Sequence, residues 1–267
     1  MISKCTEADA QSILDFIGND YCRCLYLYMD MVKYGFSTPF VSLWRENDEN
    51  GAMTSIYLKY HTGMHVYAPH GYANTDEAAA FVCSEHPAML CGVPDALAPL
   101  GKRMAGDGYE FLGGMVCKYR SPPSALDRID VRVADGEADF VRIGEMLYAD
   151  DEYGAAYKPG ELARQLSERQ HDGQGRSYVV ERDGRIVSHV CTAAECERFS
   201  ILSGGITDPS CRNGGLCSRL LFTVAEELKA AGRETYSLYY NPAAAAMHRK
   251  AGFVDYCEWG RLFRKMH

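Results

Sequence analysis

The residues best placed to do chemistry lie between 204 and 217. There the sequence GGITDPSCRNGG is followed at once by Leu216 and Cys217. Asp208 and Pro209 mark a turn, and Arg212, Asn213, Gly214 and Gly215 stand directly before a run in which Leu216, Leu220, Leu221, Val224 and Leu228 recur at helical spacing. A helix that opens among glycines leaves its first N–H groups unpaired, with about half a positive charge from the macrodipole behind them. Such an end binds phosphate. Glycine at 214 and 215 removes the Cβ atoms that would hold a phosphate away from the backbone. The spacing excludes a Walker loop, since no Lys-Ser/Thr pair follows the glycines, and a dinucleotide fingerprint, since GxGxxG is absent.

The loop must be positioned by what flanks it. Residues 199–207 read as a strand leading in, Gly232 closes the helix, and Thr235, Tyr236, Leu238, Tyr239 and Tyr240 supply a second strand. Residues 241–253, NPAAAAMHRKAGF, add a further helix and lead into a last strand. The run is strand, helix, strand, helix, strand.

With that order in place, Arg212 to Cys217 resembles the R-x-x-G-x-G/A signature of the GNAT superfamily, the acyl-CoA-dependent N-acyltransferases. Asn241 to Phe253 is similar to the same family's N-x-x-A-x-x-L-Y-x-K-x-G-F. The resemblance covers residues 129–267. It implies an α/β (α+β) fold with a mixed, mostly antiparallel sheet flanked by helices. It also implies acetyl-CoA as the acyl donor and transfer of acetyl to a primary amine by direct attack. By position, Gly205, Ile206 and Thr207 would bond the pantetheine arm of coenzyme A. Arg212, Asn213, Gly214, Gly215, Leu216, Cys217 and Ser218 would hold its pyrophosphate, with Asn241 completing the cofactor-binding set. Cys217 departs from the family's preference for glycine or alanine.

Amide formation from a thioester needs a neutral amine, a polarised carbonyl and a proton for the departing thiolate. His248 stands where the family carries its proton-donating tyrosine and is the candidate general acid. An imidazolium with an ordinary pKa near 6.5 gives a proton readily to a thiolate whose thiol sits near 8.5. Tyr239 and Tyr240 are the alternative donors. Candidate bases are His189, Glu195, Glu197 and Asp208. Loss of the tyrosine also leaves open a non-catalytic acyl-CoA-binding or regulatory protein. Residues 150–153, Asp-Asp-Glu-Tyr, lie between two expected helices that border the family's acceptor site; they read either as contacts for an amine or as a solvated acidic loop.

A chain of 267 residues fits two domains. Ser121-Pro122-Pro123-Ser124 marks a linker, which sets domains at 1–120 and 128–267 with 121–127 between them. The first half reads as helices over 6–20 and 22–34 and strands over 40–45, 54–60 and 65–68. Helices over 75–83 and 94–104 and a strand over 109–119 follow. That outline repeats the second half without its glycine loop, so the expectation is a degenerate GNAT-like copy that binds no nucleotide.

The net charge of −8, from 28 basic and 36 acidic side chains, argues against a nucleic-acid partner and favours a cationic small-molecule amine or peptide acceptor. Eleven cysteines with Cys22-Arg23-Cys24 as the one close pair read as free thiols of a cytoplasmic protein. No zinc-ligand spacing is present, and the spread of His61, His65 and His70 does not complete a metal set. The N-terminus carries Lys4, Glu7 and Asp9 and lacks the apolar stretch of a signal peptide, and no apolar run reaches membrane-spanning length. Nothing in the pattern fixes an oligomeric state.

Overall fold

A computed structural model describes residues 1–36, 38–150 and 160–264. Its chain divides into two compact units, Met1–Val116 with Cys257–His267, and Cys117–Tyr256. The linker expected at 121–127 lies within the second unit, and the division returns the residues from 257 onward to the first.

The first unit begins with β1 (Ile2–Lys4), α1 (Ala10–Ile17), α2 (Leu25–Tyr34), β2 (Val41–Asn47), β3 (Met53–Tyr60) and β4 (Gly63–Tyr67). It continues with α3 (Thr75–Glu85), β5 (Met89–Gly92), α4 (Pro94–Met104) and β6 (Tyr109–Tyr119). The second unit repeats the order. It runs β7 (Arg132–Val133), α5 (Gly136–Tyr148), α6 (Glu161–His171), β8 (Ser177–Arg182), β9 (Arg185–Glu195) and β10 (Phe199–Thr207), then α7 (Leu216–Ala230), β11 (Glu234–Tyr239), α8 (Pro242–Ala251) and β12 (Phe253–Arg264). The division between units falls inside β6 and inside β12.

In the first unit β1 to β4 are antiparallel neighbours, β4 pairs parallel with β5, and β5 pairs antiparallel with β12 from Gly260↔Gly92 to Phe263↔Met89. In the second, β7 to β10 are antiparallel neighbours and β10 pairs parallel with β11. Each parallel step is spanned by a helix, as a same-direction crossover requires. The fold is mixed α/β, mostly antiparallel, with flanking helices.

Local chemistry explains much of this. Thr6 and Asp9 form a reciprocal capping box that starts the first helical turn, and Gly18 at φ 55° stops α1. Asn74 caps α3 by accepting the amides of Asp76 and Glu77. In the second unit α7 and α8 cover one sheet face, with Leu220, Val224, Ala225, Leu228 and Phe253 in its core; α5 and α6 belong to another, with Ile143, Leu147, Leu162, Leu166 and Val179. Gly144 allows α5 and α6 to meet closely, since a Cβ there would lie 2.8 Å from that of Ala163. The sequence reading passes over β1 and β5, which are three and four residues long, because so short a strand has no period to detect.

Candidate functional site

The site is built where β10 and β11 stop pairing. Their parallel ladder runs from Phe199↔Glu234 to Leu202↔Ser237, whereas β10 continues to Thr207. On the other edge of β10 the register with β9 shifts between Ser203 and Ile206. Gly204 sits in that shift at φ 65°, a conformation glycine adopts without strain. A bulge bends its strand and sharpens its twist. Gly205, Ile206 and Thr207 therefore lie beyond the ladder with β11, while Ile206 and Thr207 stay paired with β9 through His189 and Ser188.

His189 on β9 pins the bulge. Its Nδ1 donates to the Gly204 carbonyl at 2.9 Å, and a Cβ on Gly204 would lie 3.2 Å from its Cε1. The ring is fully buried, and burial pushes its pKa down to about 4. It is therefore neutral near pH 7, with the proton on Nδ1. Its Nε2 has no partner among the described residues. Beside it, Ser188 Oγ donates to the Ile206 carbonyl at 3.0 Å and accepts from Thr207 Oγ1 at 2.9 Å.

The loop after β10 is braced at its base. Asp208 Oδ1 accepts from the Ser210 amide at 3.1 Å and its hydroxyl at 2.7 Å; Oδ2 accepts from Arg142 of α5 at 2.6 Å and Arg185 at 3.4 Å. These hydrogen bonds and guanidinium charges hold the carboxyl below the usual carboxylate range. Arg212 turns back, its Nε donating to the Thr207 carbonyl at 2.9 Å, so the side chain fixes the loop. Asn213 and Gly215 then take left-handed conformations at φ 67° and 72°.

These turns deliver the chain into α7 with no side chain capping it and no acid in its first turn. Arg219 is the amide that bonds back to Gly215, at 3.1 Å, so the amides of Leu216, Cys217 and Ser218 have no preceding helical carbonyl to reach. A Cβ on Gly214 would meet nothing within 4 Å, which leaves the loop's outer side open. One on Gly215 would lie 2.9 Å from Lys250 Nζ. A cation from α8 thus stands beside Gly215, and with the unpaired amides it makes that end of the helix electropositive.

The side chains of this stretch have other tasks. Leu216 is core. Ser218 Oγ donates to the Met247 carbonyl at 3.2 Å and joins α7 to α8. Cys217 points toward the strand, with Sγ 3.5 Å from the Cβ position of Gly205 and hydrogen-bonded to Thr207; burial pushes its thiol up to about 11. Its bulk is taken up on that side of the loop. Asn241 caps α8 by accepting from the Ala244 amide at 2.8 Å.

His248 is buried, with Nδ1 donating to the Ala244 carbonyl at 2.7 Å and Nε2 2.8 Å from Ser237 Oγ. Ser237 Oγ also lies 2.9 Å from the Leu202 carbonyl. Burial lowers the His248 pKa below the ordinary value, which favours the neutral ring. Its ring proton is therefore held by a carbonyl of its own helix. The Tyr239 hydroxyl donates to Asp255 Oδ1 at 2.5 Å, and Arg249 pairs with Oδ2 of the same carboxylate at 2.7 Å. Burial and the Asp255 carboxylate push the Tyr239 pKa up to about 12. Tyr240 is half-buried, one residue past β11.

The structure thus gathers residues 205–207, 212–218 and Lys250 at one end of the β10–β11 pair. Glu195 and Glu197 lie at the other end: Glu195 is opposite Ser200 and is held by Arg176 at 2.9 Å, by Thr192 at 2.6 Å and by Arg233. Residues 151–153 lie outside the described residues, while Asp150 follows α5 with its amide bonded to the Leu147 carbonyl. Lys250 and Arg142 were not singled out from sequence. Lys250 is visible there as the lysine of the 241–253 motif, but which helix face meets the loop is a tertiary fact. Among the described residues no group of three His, Cys, Asp or Glu side chains could hold a metal ion, and no helix is long and apolar enough to cross a membrane.

Residues 145–253 match the family model for the acetyltransferase (GNAT) family. No curated protein matches the chain. Among solved structures, a GNAT-family acetyltransferase from Colwellia psychrerythraea superposes with a TM-score of 0.61 at 12% identity over 100% of both chains. A GCN5-related N-acetyltransferase from Sphaerobacter thermophilus gives 0.62 at 14% identity over 98% of this chain and 94% of its own. A tandem GNAT protein from the clavulanic acid biosynthesis pathway gives 0.59 at 13% over 98% and 97%. At these identities the likeness is one of fold, and it spans both units. The family match falls on the strand, loop and helices just described, and the fold of the whole chain is that of GNAT proteins, tandem ones among them.

Proposed function

We propose that the second unit binds acetyl-CoA and transfers its acetyl group to the primary amine of a small molecule or peptide in the cytoplasm. The observation that carries this reading is the uncapped start of α7, with its outer side open at Gly214 and Lys250 beside it, where β10 leaves β11. The free amides and Lys250 fit a pyrophosphate, and the released edge of Gly205–Thr207 fits an amide-rich arm. The thioester supplies an activated acyl group; the protein aligns it with the amine and excludes competing water. Direct attack then needs no covalent enzyme intermediate.

Asp208 is committed to arginines, Glu195 is distant and His189 is enclosed, so the amine loses its proton to water in this reading. His248 and Tyr239 hold their own protons against protein acceptors and act by fixing α8 and β11. This replaces the acid role that the resemblance suggests for His248. Turnover in His248→Gln and His248→Phe, measured with acetyl-CoA affinity, tests it: a pH profile that loses a limb with full affinity would restore His248 as the acid.

The same protons favour a second reading, a non-catalytic acyl-CoA-binding domain. Calorimetry with acetyl-CoA, followed by thiol release with a panel of primary amines, separates the two. Binding with amine-dependent thiol release supports the enzyme, and binding alone supports the second reading. Absence of binding overturns both.

A further inference from the structure

Two cysteines meet in the first unit and take no part in the site above. Cys22 lies in the 3-10 turn Tyr21–Cys24, and Cys257 in that unit's share of β12. Cys257 Sγ is 3.5 Å from the Cys22 carbonyl oxygen, which brings together two cysteines 235 residues apart. Charged and polar groups surround them. Cys22 Sγ is 3.8 Å from Asp20 Oδ1, and Asp20 Oδ2 accepts from Tyr67 at 2.9 Å and pairs with Arg23 at 3.3 Å. Cys22 is 8% exposed and Cys257 is half-buried, so a small reagent reaches the pair. Cys24, at 1% exposure, is enclosed, and burial raises its thiol well above the ordinary value.

We propose that Cys22 and Cys257 are a hydroperoxide-sensitive pair that closes reversibly to a disulfide, tying the final strand to the turn before α2. A sulfur already against the other cysteine's carbonyl can reach bonding geometry through side-chain rotation. Cys22, in the 3-10 turn, and the half-buried Cys257, on β12, take the parts of attacking and resolving cysteine. The Cys22 thiolate attacks one oxygen of the hydroperoxide. The O–O bond breaks, hydroxide or alkoxide leaves, and Cys22 becomes a sulfenic acid. Cys257 sulfur then attacks that sulfur, the S–O bond breaks and water departs with the Cys257 proton. A dithiol reductant restores both thiols.

The full chain is treated with hydrogen peroxide, alkylated and digested without reduction. The expected product is a peptide pair joined through Cys22 and Cys257 that dithiothreitol separates. Because the bond closes a very long loop, the oxidised protein should melt roughly 5–15 °C higher than the reduced one. In Cys257→Ser the rise should vanish and dimedone should label Cys22. Preferential pairing of other cysteines in the wild type overturns the proposal, as does oxidation of Cys22 to sulfinic acid with no linked peptide. Neither outcome depends on the variant folding.

Discussion

The same strand–helix–strand step is built twice, as β4–α3–β5 and as β10–α7–β11, and only the second leaves a helix end open to an anion. At α3, Asn74 Oδ1 accepts the amides of Asp76 at 3.0 Å and Glu77 at 3.1 Å, so the donors are used and two acids stand in the first turn. The fully buried Glu46 accepts from the Asn74 amide at 2.9 Å and puts a third carboxyl behind the cap. The ladder of β3 with β4 has no register shift, and a Cβ on Gly92 would lie 2.9 Å from the Val66 carbonyl, so β4 and β5 stay together. Tyr72 finishes the closure by donating to the Ala96 carbonyl at 2.6 Å. At α7 the capping side chain is absent, the strand bulges, and the nearby charge is positive. Topology alone does not make a phosphate site; it provides a helix end, and a few residues decide whether that end is stoppered.

The comparison can be broken most directly at Gly215. A Gly215→Glu variant places bulk and negative charge on the free amides from a left-handed backbone position, and should lower acetyl-CoA affinity about a thousandfold, or about 4 kcal/mol. Calorimetry on a variant with wild-type circular dichroism checks this, and affinity within tenfold of wild type would remove α7 as the distinguishing feature.

Acid should act next, through the bulge at Gly204, which has no counterpart in the ladder of β3 with β4. The folded-state pKa of His189, about 4, lies below its unfolded value near 6.5. The unfolded chain therefore binds the extra proton between these values, and stability present above pH 6.5 is lost as pH falls toward 4. The full loss attributable to this group is about 3 kcal/mol. Urea melts at pH 7 and pH 4 should show a smaller drop in His189→Gln than in wild type; an equal drop would mean that the buried imidazole does not govern it.

Opening the stoppered end is the converse test. Asn74→Ala should cost about 1 kcal/mol of stability through the lost cap. Asn74→Gly combined with Asp76→Ala and Glu77→Ala should still leave one acetyl-CoA per chain, because Gly92 keeps β4 and β5 closed. A stoichiometry of two would show that capping alone separates the units. The smallest effect is expected at Lys250, an exposed cation: Lys250→Gln should weaken binding about fivefold and flatten its salt dependence. Unchanged affinity at low salt would take Lys250 out of the site.

Much of the second unit was legible because its signals are local. The strand over 199–207 and the helix after Gly215 fall where hydrophobic period and glycine position put them, and α4 and β6 match their expected spans. The roles of single side chains were less legible. The sequence does not show that the Cys217 thiol packs against Gly205 or that His248 Nδ1 donates to the Ala244 carbonyl. Both depend on where a side chain points after packing, which spacing along a chain does not encode.

By itself the sequence determined the glycine-led, uncapped start of α7, because glycine, left-handed turns and an amphipathic run act over a few residues. It also determined the repeated outline of the longer elements, since hydrophobic period is a local property, though not the short β1 and β5. Tertiary structure alone decided that β10 bulges at His189, that Lys250 reaches Gly215 and that β4 and β5 stay closed at Gly92. It likewise decided that the residues after Tyr256 serve the first unit. These are pairings between segments distant along the chain. They are chosen by which edges and faces remain to be satisfied once the whole chain has packed.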